Sequence, residues 1–202
     1  MPQIELPNAD TSTITLAEAM HSRISQHAFE EQPLSIASLS QILKNSAFSE
    51  NASHRPYPSG GALFPIEIYL LVRDVESLSP GIYHYRPDVH RLEFLWVLSE
   101  NLELDVTFDA WVTSAPVLIV LTAQWSRSWN KYNDFGLELS LLEAGHIGQN
   151  MLLSAVATNA CGCPWGGFNE KNLADILDLD NEREQVVYTI ALGPSISKAS
   201  PN

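Results

Sequence analysis

Arg55-Pro56-Tyr57-Pro58-Ser59-Gly60-Gly61-Ala62-Leu63-Phe64-Pro65-Ile66-Glu67-Ile68-Tyr69 is the stretch on which the reading of this chain turns. Its first half closes the segment NASHRPYPSGG, residues 51–61, which is too rich in proline, glycine and serine for regular structure. Its second half passes at once into an apolar, strand-like run. Pro58-Ser59-Gly60-Gly61 offers a hydroxyl and two residues without side chains. Such a segment can bring backbone N–H groups close to a flat ligand. An ordinary surface turn is the plainer reading of the same four residues.

Working outward, three strand-like runs follow: Ile66 to Val72, Gly81 to Tyr85 and Leu92 to Val97. Ser79-Pro80-Gly81 and Arg86-Pro87-Asp88 separate them, which predicts consecutive antiparallel strands. Val117 to Leu121 is unbroken and apolar, the pattern of a central strand buried on both faces. Leu137 to Ala157 carries Leu141, Ala144, Ile147, Met151 and Ala155 at three- and four-residue spacing, which predicts a long, largely buried helix suited to a dimer interface. A glycine-rich loop is expected over Cys161 to Gly167, a short helix near Leu173 to Leu177, and a last strand over Val186 to Leu192. Upstream, Thr15 and Glu18 form a capping box before one helix, and Ser35 starts another. With no internal repeat or linker, the expectation is one α+β domain over residues 14–202, preceded by an arm, residues 1–13, reaching toward a partner subunit.

The bulk numbers narrow the partners. A formal net charge of -13 on 202 residues, with eleven scattered Lys and Arg, argues against nucleic acid. No stretch approaches the ~18 uninterrupted apolar residues of a membrane span, and MPQIELPNAD has no signal-peptide pattern. Cys161 and Cys163 are separated by one glycine, a poor disulfide spacing, so free thiols and a cytoplasmic setting are expected.

Two further segments are chemically suggestive. Cys161-Gly162-Cys163-Pro164-Trp165-Gly166-Gly167-Phe168 sets glycines beside aromatics, as a wall against a planar group would require. With no second cysteine pair, a metal site is disfavoured, and a helix-to-strand loop explains the composition as well. Lys131-Tyr132 follows the aromatic-polar run Trp125-Ser126-Arg127-Ser128-Trp129. The pair can serve proton transfer only where burial or a neighbouring charge lowers the lysine's proton affinity, and most such pairs are solvated surface. His146, alone in an apolar helix, reads as a hydrogen-bonded core residue. No HExxH, P-loop, GxGxxG or GxSxG pattern occurs.

Taken in order, these segments resemble the nitroreductase-like flavoproteins, in particular the SagB/ThcOx-type dehydrogenases, from about Leu16 to Gly193. Arg23-Ile24-Ser25-Gln26-His27-Ala28-Phe29 is similar to the family's RRSxRxF segment, with Ile24 and His27 where arginines are usual. Arg55 to Tyr69 resembles its R-x-x-PSxGaxyPxExY signature, and Pro80 to Tyr85 with Leu92-Glu93 its scaffold hairpin. Lys131-Tyr132 ahead of Leu142 to Asn150 resembles the Lys-Tyr pair and EaGHxxQN helix of the azoline-oxidising members, although Asp134 and Leu137 replace residues that are often basic. Gly166-Gly167-Phe168 and Ile190 to Gly193 resemble the glycine-rich wall and terminal strand.

The resemblance implies a nitroreductase-like α+β fold, FMN as cofactor, and a homodimer with the flavin at the subunit interface. It implies a phosphate site from Arg23, Ser25 and His27 with Lys198 nearby, and ring contacts from Pro58, Ser59, Gly60, Gly61, Gln149, Gly166 and Gly167. Lys131 and Tyr132 become the proton-transfer pair in oxidation of a thiazoline or oxazoline in a peptide to the azole. A cyclodehydratase or peptide synthetase is the implied partner. An NAD(P)H-dependent nitro or quinone reductase, or a non-catalytic flavin-fold partner of a biosynthetic complex, fits the same scaffold.

Overall fold

A computed structural model of the chain describes residues 2–8, 14–50, 54–98, 106 and 109–196. Among them seven strands, β1 (Gln3–Glu5), β2 (Ile66–Val72), β3 (Gly81–Arg86), β4 (Arg91–Trp96), β5 (Val117–Gln124), β6 (Ala160–Trp165) and β7 (Glu184–Pro194), form one sheet in the order β1-β4-β3-β2-β5-β7-β6. All the strand pairings are antiparallel. The helices are α1 (Leu16–Ser22), α2 (Ile36–Ala47), α3 (Ala110–Thr113), α4 (Trp125–Tyr132), α5 (Phe135–Ala157) and α6 (Glu170–Ile176).

β5 lies inside the sheet between β2 and β7, and its residues alternate as the two-residue period of a strand demands. Val117, Ile119 and Leu121 join one apolar layer with Leu39, Ile42 and Leu43 of α2 and Ile147 and Met151 of α5. Leu118 and Val120 enter the layer on the opposite face with Val112, Leu173 and Leu177. Both faces are therefore covered, and the unbroken apolar run needs no polar side. The expected caps also form. Thr15 Oγ1 accepts from the Glu18 amide while the Glu18 carboxylate accepts from the Thr15 amide, and Ser35 Oγ accepts from the Ala37 amide.

Three expectations are corrected. Residues 161–167 were expected as a loop, but Ala160–Trp165 is an edge strand paired with β7. Gly162 is there for space: a Cβ would lie 2.6 Å from Leu192 Cδ2 and 2.9 Å from the Ala191 carbonyl. Pro164 is tolerated because an edge strand leaves amides unpaired. The described part of the segment expected as an arm lies on the chain's own sheet, where Gln3 faces Glu93, Arg91 pairs with Glu5 at 2.5 Å, and Leu6 enters the core. Residues 9–13 fall outside the described part.

The third correction concerns α5, which buries one face rather than most of its surface. Ser140, Ala144, Ile147, Met151 and Ala155 are buried, whereas Leu141 and Leu142 are 46% and 60% exposed. Cys161 and Cys163 are free and buried, and burial pushes the Cys161 thiol up to about 11.

One junction positions the chemistry. β5 runs directly into α4, and Asn133, at φ 47°, reverses the chain into α5. Gly136 lets the two helices meet closely, since a Cβ there would be 2.9 Å from Ser128 Cβ. The last residues of α4, Lys131 and Tyr132, are thereby held over the start of β2.

Candidate active site

The segment Pro58 to Phe64 is folded by its own polar groups and by backbone strain. The Ser59 carbonyl accepts from the Ala62 amide at 3.1 Å, and Ser59 Oγ accepts from the Phe64 amide at 2.9 Å. Gly61, Ala62 and Phe64 all have positive φ, of 64°, 56° and 48°. Such a run of left-handed residues is costly and marks a functional loop more often than a plain turn.

The loop is clamped from α4. Arg127 donates from Nη1 to the Phe64 carbonyl at 2.9 Å and pairs through Nη2 with Glu67 at 2.5 Å. One turn later, the heads of Lys131 and Tyr132 converge on Gly61. A Cβ on that glycine would lie 2.6 Å from Lys131 Nζ and 2.7 Å from Tyr132 Oη. The structure thus brings together Ser59, Gly60, Gly61, Lys131 and Tyr132. A lysine nitrogen and a tyrosine hydroxyl meet at a glycine-lined surface, with the Ser59 hydroxyl at its edge.

A further residue of this site was not singled out from the sequence. Glu143, on α5 beneath the loop, is 2% exposed. Burial pushes its carboxyl up to about 7, against the opposing pull of the Ser59 hydroxyl, Arg55, the Ile66 amide and Arg127. Neither carboxyl oxygen completes a hydrogen bond. An acid on the inner face of an otherwise apolar helix was the available signal. Arg55 itself donates to Tyr57 Oη at 2.7 Å and stacks 4.5 Å from the Phe64 ring centroid.

The residues expected around a phosphate lie elsewhere. Arg23, which ends α1, lines a cavity of about 350 Å³ together with Gln26, Leu152, Cys161, Gly162 and Ser195. Ser25 bridges to Gly162 of β6. His27 stacks flat on Trp111 with ring centroids 4.2 Å apart. Gln149 lies on the exposed face of α5 with Gly145 and His146, so His146 is a surface residue and not the core histidine expected. A Cβ on Gly166 or Gly145 would meet nothing within 4 Å, whereas Gly167 packs on the Trp165 ring. Lys198 falls outside the described residues.

Two sets of residues thus stand at opposite ends of α5. Gly60 packs on Leu139 near its start, and the Arg23 cavity is closed by Leu152 and Val156 near its end. Thirteen residues of helix between Leu139 and Leu152 separate them by about 20 Å. A ring cofactor that carries a phosphate needs two chemistries, and the two ends of α5 offer one each. One end has a cation and hydroxyls for a phosphate. The other has a glycine surface that a single Cβ would fill, flanked by donors for a polar ring edge.

Comparison with known proteins agrees with this fold. The description of the nitroreductase family matches residues 20–194. A nitroreductase-family protein of Methanocaldococcus jannaschii is 29% identical over 182 residues, covering 88% of this chain and 90% of its own. The microcin B17-processing protein McbC of Escherichia coli is 29% identical over 160 residues, covering 75% of this chain and 59% of its own. A nitroreductase-family structure from Ralstonia eutropha superposes with TM-score 0.81 at 25% identity, over 97% of this chain and 90% of that one. A chain of the E. coli microcin synthetase McbBCD complex superposes with TM-score 0.75 at 24% identity, over 96% and 78%. Fold and sequence match agree over nearly the whole length, and the chain belongs to the nitroreductase family of flavin oxidoreductases.

Proposed function

We propose that this protein is an FMN-dependent dehydrogenase that converts thiazoline or oxazoline rings of a peptide product to thiazole or oxazole. The observation that carries the proposal is the convergence of Lys131 Nζ and Tyr132 Oη on Gly61. A simple hydride relay to a quinone needs no such pair, whereas oxidation of an azoline must remove a proton from ring carbon as well as a hydride. The match to McbC supports the same class. FMN held by these residues would supply the hydride acceptor, and oxygen would take up the two electrons. Lys131 and Tyr132 take the proton, Gly61 leaves the space in which ring and base meet, and Arg127 fixes the loop that shapes that space.

The separation of the two sets of residues along α5 leads to the proposed assembly. In a two-fold dimer with antiparallel α5 helices, the Arg23 end of one chain lies by the Gly61 end of the other. Each FMN is then held by both chains. A cyclodehydratase or peptide synthetase is the proposed supplier of the azoline.

The test is reduction of bound flavin by an azoline peptide, followed by stopped-flow absorbance. Lys131→Ala and Tyr132→Phe are expected to retain FMN and to slow reduction about 10²–10⁴-fold. Unchanged rates in both variants would remove the assignment. The M. jannaschii relative favours a second reading, an NAD(P)H-dependent nitro or quinone reductase. Rapid bleaching by NADPH with turnover of a quinone, and no response to azolines, would favour it over the first.

A further inference from the structure

Glu143 is out of place for a scaffold residue. It sits on the inner face of α5 between Ser140 and Ile147, is 2% exposed, and has two carboxyl oxygens without a completed hydrogen bond. A buried polar group left in that condition costs stability and calls for a role. Its surroundings are specific. Ser59 of the glycine loop faces it with its hydroxyl, Ile66 of β2 with its amide, and Arg55 and Arg127 contribute positive charge from the preceding loop and from α4. Tyr57 is also within its field, and Glu67 of β2 is held by Arg127 and His84.

Ser59 is the link to the ligand surface. Its Oγ already accepts from the Phe64 amide, so one lone pair and one proton remain to be placed. A neutral Glu143 donates to that lone pair and leaves the serine proton to point outward at a ligand acceptor. An ionised Glu143 can only accept, and draws the serine proton inward.

We infer that Glu143 is a positioning residue that sets, by its own protonation, whether Ser59 presents a donor to the flavin. The inference rests on the flavin reading above and adds to it a proton-linked control of the loop. Raised by burial to about 7, the Glu143 carboxyl changes state close to neutrality.

The experiment is an FMN titration of the full chain, read by flavin fluorescence, from about pH 6 to about pH 8. The FMN phosphate titrates in the same range, so the quantity read is the difference between wild type and Glu143→Gln. Wild-type affinity is expected to fall ~10-fold more than that of the variant across the range, the size of one hydrogen bond gained or lost. Glu143→Gln donates permanently and should bind tightly at both ends. Ser59→Ala should bind weakly at both. A wild-type slope retained in Glu143→Gln overturns the inference.

A second measurement needs no cofactor. The Glu143 side-chain carboxyl, assigned in carbon-13 NMR by its loss in Glu143→Gln, is titrated in wild type and Ser59→Ala. The inference expects a midpoint near neutrality that rises when the serine hydroxyl is removed. An unmoved midpoint refutes the coupling even if FMN binds. Absence of FMN binding with a shifted midpoint keeps the coupling and removes the flavin reading.

Discussion

Gly61 shows how a single position can be required twice. Its φ of 64° is open to glycine at little cost, and the space of its missing side chain is taken by Lys131 Nζ and Tyr132 Oη. Gly61→Ala therefore incurs backbone strain of about 1–2 kcal/mol and pushes the pair away. Gly145→Ala meets nothing within 4 Å and adds a methyl on an open helix face. The expected result is a chain that melts a few degrees lower and reduces flavin at least ~10-fold more slowly for Gly61→Ala, with Gly145→Ala, inside a helix, melting no lower than wild type. Equal reduction rates in Gly61→Ala and wild type would show that the lysine and tyrosine do not act at this surface. The sequence let the loop and the pair be seen as separate, weak signals. Their contact joins positions 61 and 131, a long-range fact that no local spacing contains. Glu143 stood in view as the acid of the EaGHxxQN-like helix, but its burial beneath the loop is likewise a tertiary fact.

At the scale of elements, legibility followed burial and chemistry in an uneven way. β2, β3, β4, β5 and β7 could be read because apolar runs bounded by proline and glycine carry the strand signal locally. β6 could not, because Cys-Gly-Cys-Pro has poor strand propensity and becomes a strand only through pairing with β7. α4 was equally obscure: Trp125, Trp129 and Tyr132 fall on one face, but eight residues with so many polar side chains carry the helical period too briefly, and it forms where β5 delivers the chain against α5.

The β2–β3–β4 unit carries a prediction of its own. His84 on β3 lies 2.8 Å from Glu67 on β2 and 3.6 Å from Glu93 on β4. Its own burial opposes the imidazolium, but the two carboxylates prevail and its proton affinity is raised. Glu67 is lowered despite its burial, because His84 and Arg127 favour its charge. The raised histidine stabilises the fold fully below its ordinary value of 6.5 and loses that contribution as pH rises through the folded value. The lowered Glu67 contributes above 4.5 and loses its share as pH falls through its own folded value. The triad is therefore strongest between those limits. Urea unfolding of His84→Gln should show a deficit of about 1 kcal/mol near pH 5.5 that shrinks toward pH 8.5. A deficit independent of pH would mean that the histidine acts by packing alone.

The molecule carries exposed apolar residues near both of its functional ends. Leu16, Met20 and Ile24 on and after α1 are 64%, 57% and 51% exposed, and Leu142 on α5 is 60% exposed. Exposed apolar residues at helical spacing on neighbouring elements favour association, and a two-fold pairing of α5 would cover them. Such a dimer makes a prediction that a monomeric site cannot meet. Arg23→Ala impairs the phosphate end and Lys131→Ala the catalytic end, so each homodimer has two damaged sites. Mixed by unfolding and refolding together, the two variants form heterodimers in which one site combines both defects and the other is wild type at both ends. Random pairing then restores about a quarter of wild-type flavin reduction. No recovery above the separate variants, with heterodimers verified by native mass spectrometry, would place both ends of each site within one chain. Because the ends stand about 20 Å apart along α5, a single chain would then have to rearrange to hold one flavin at both.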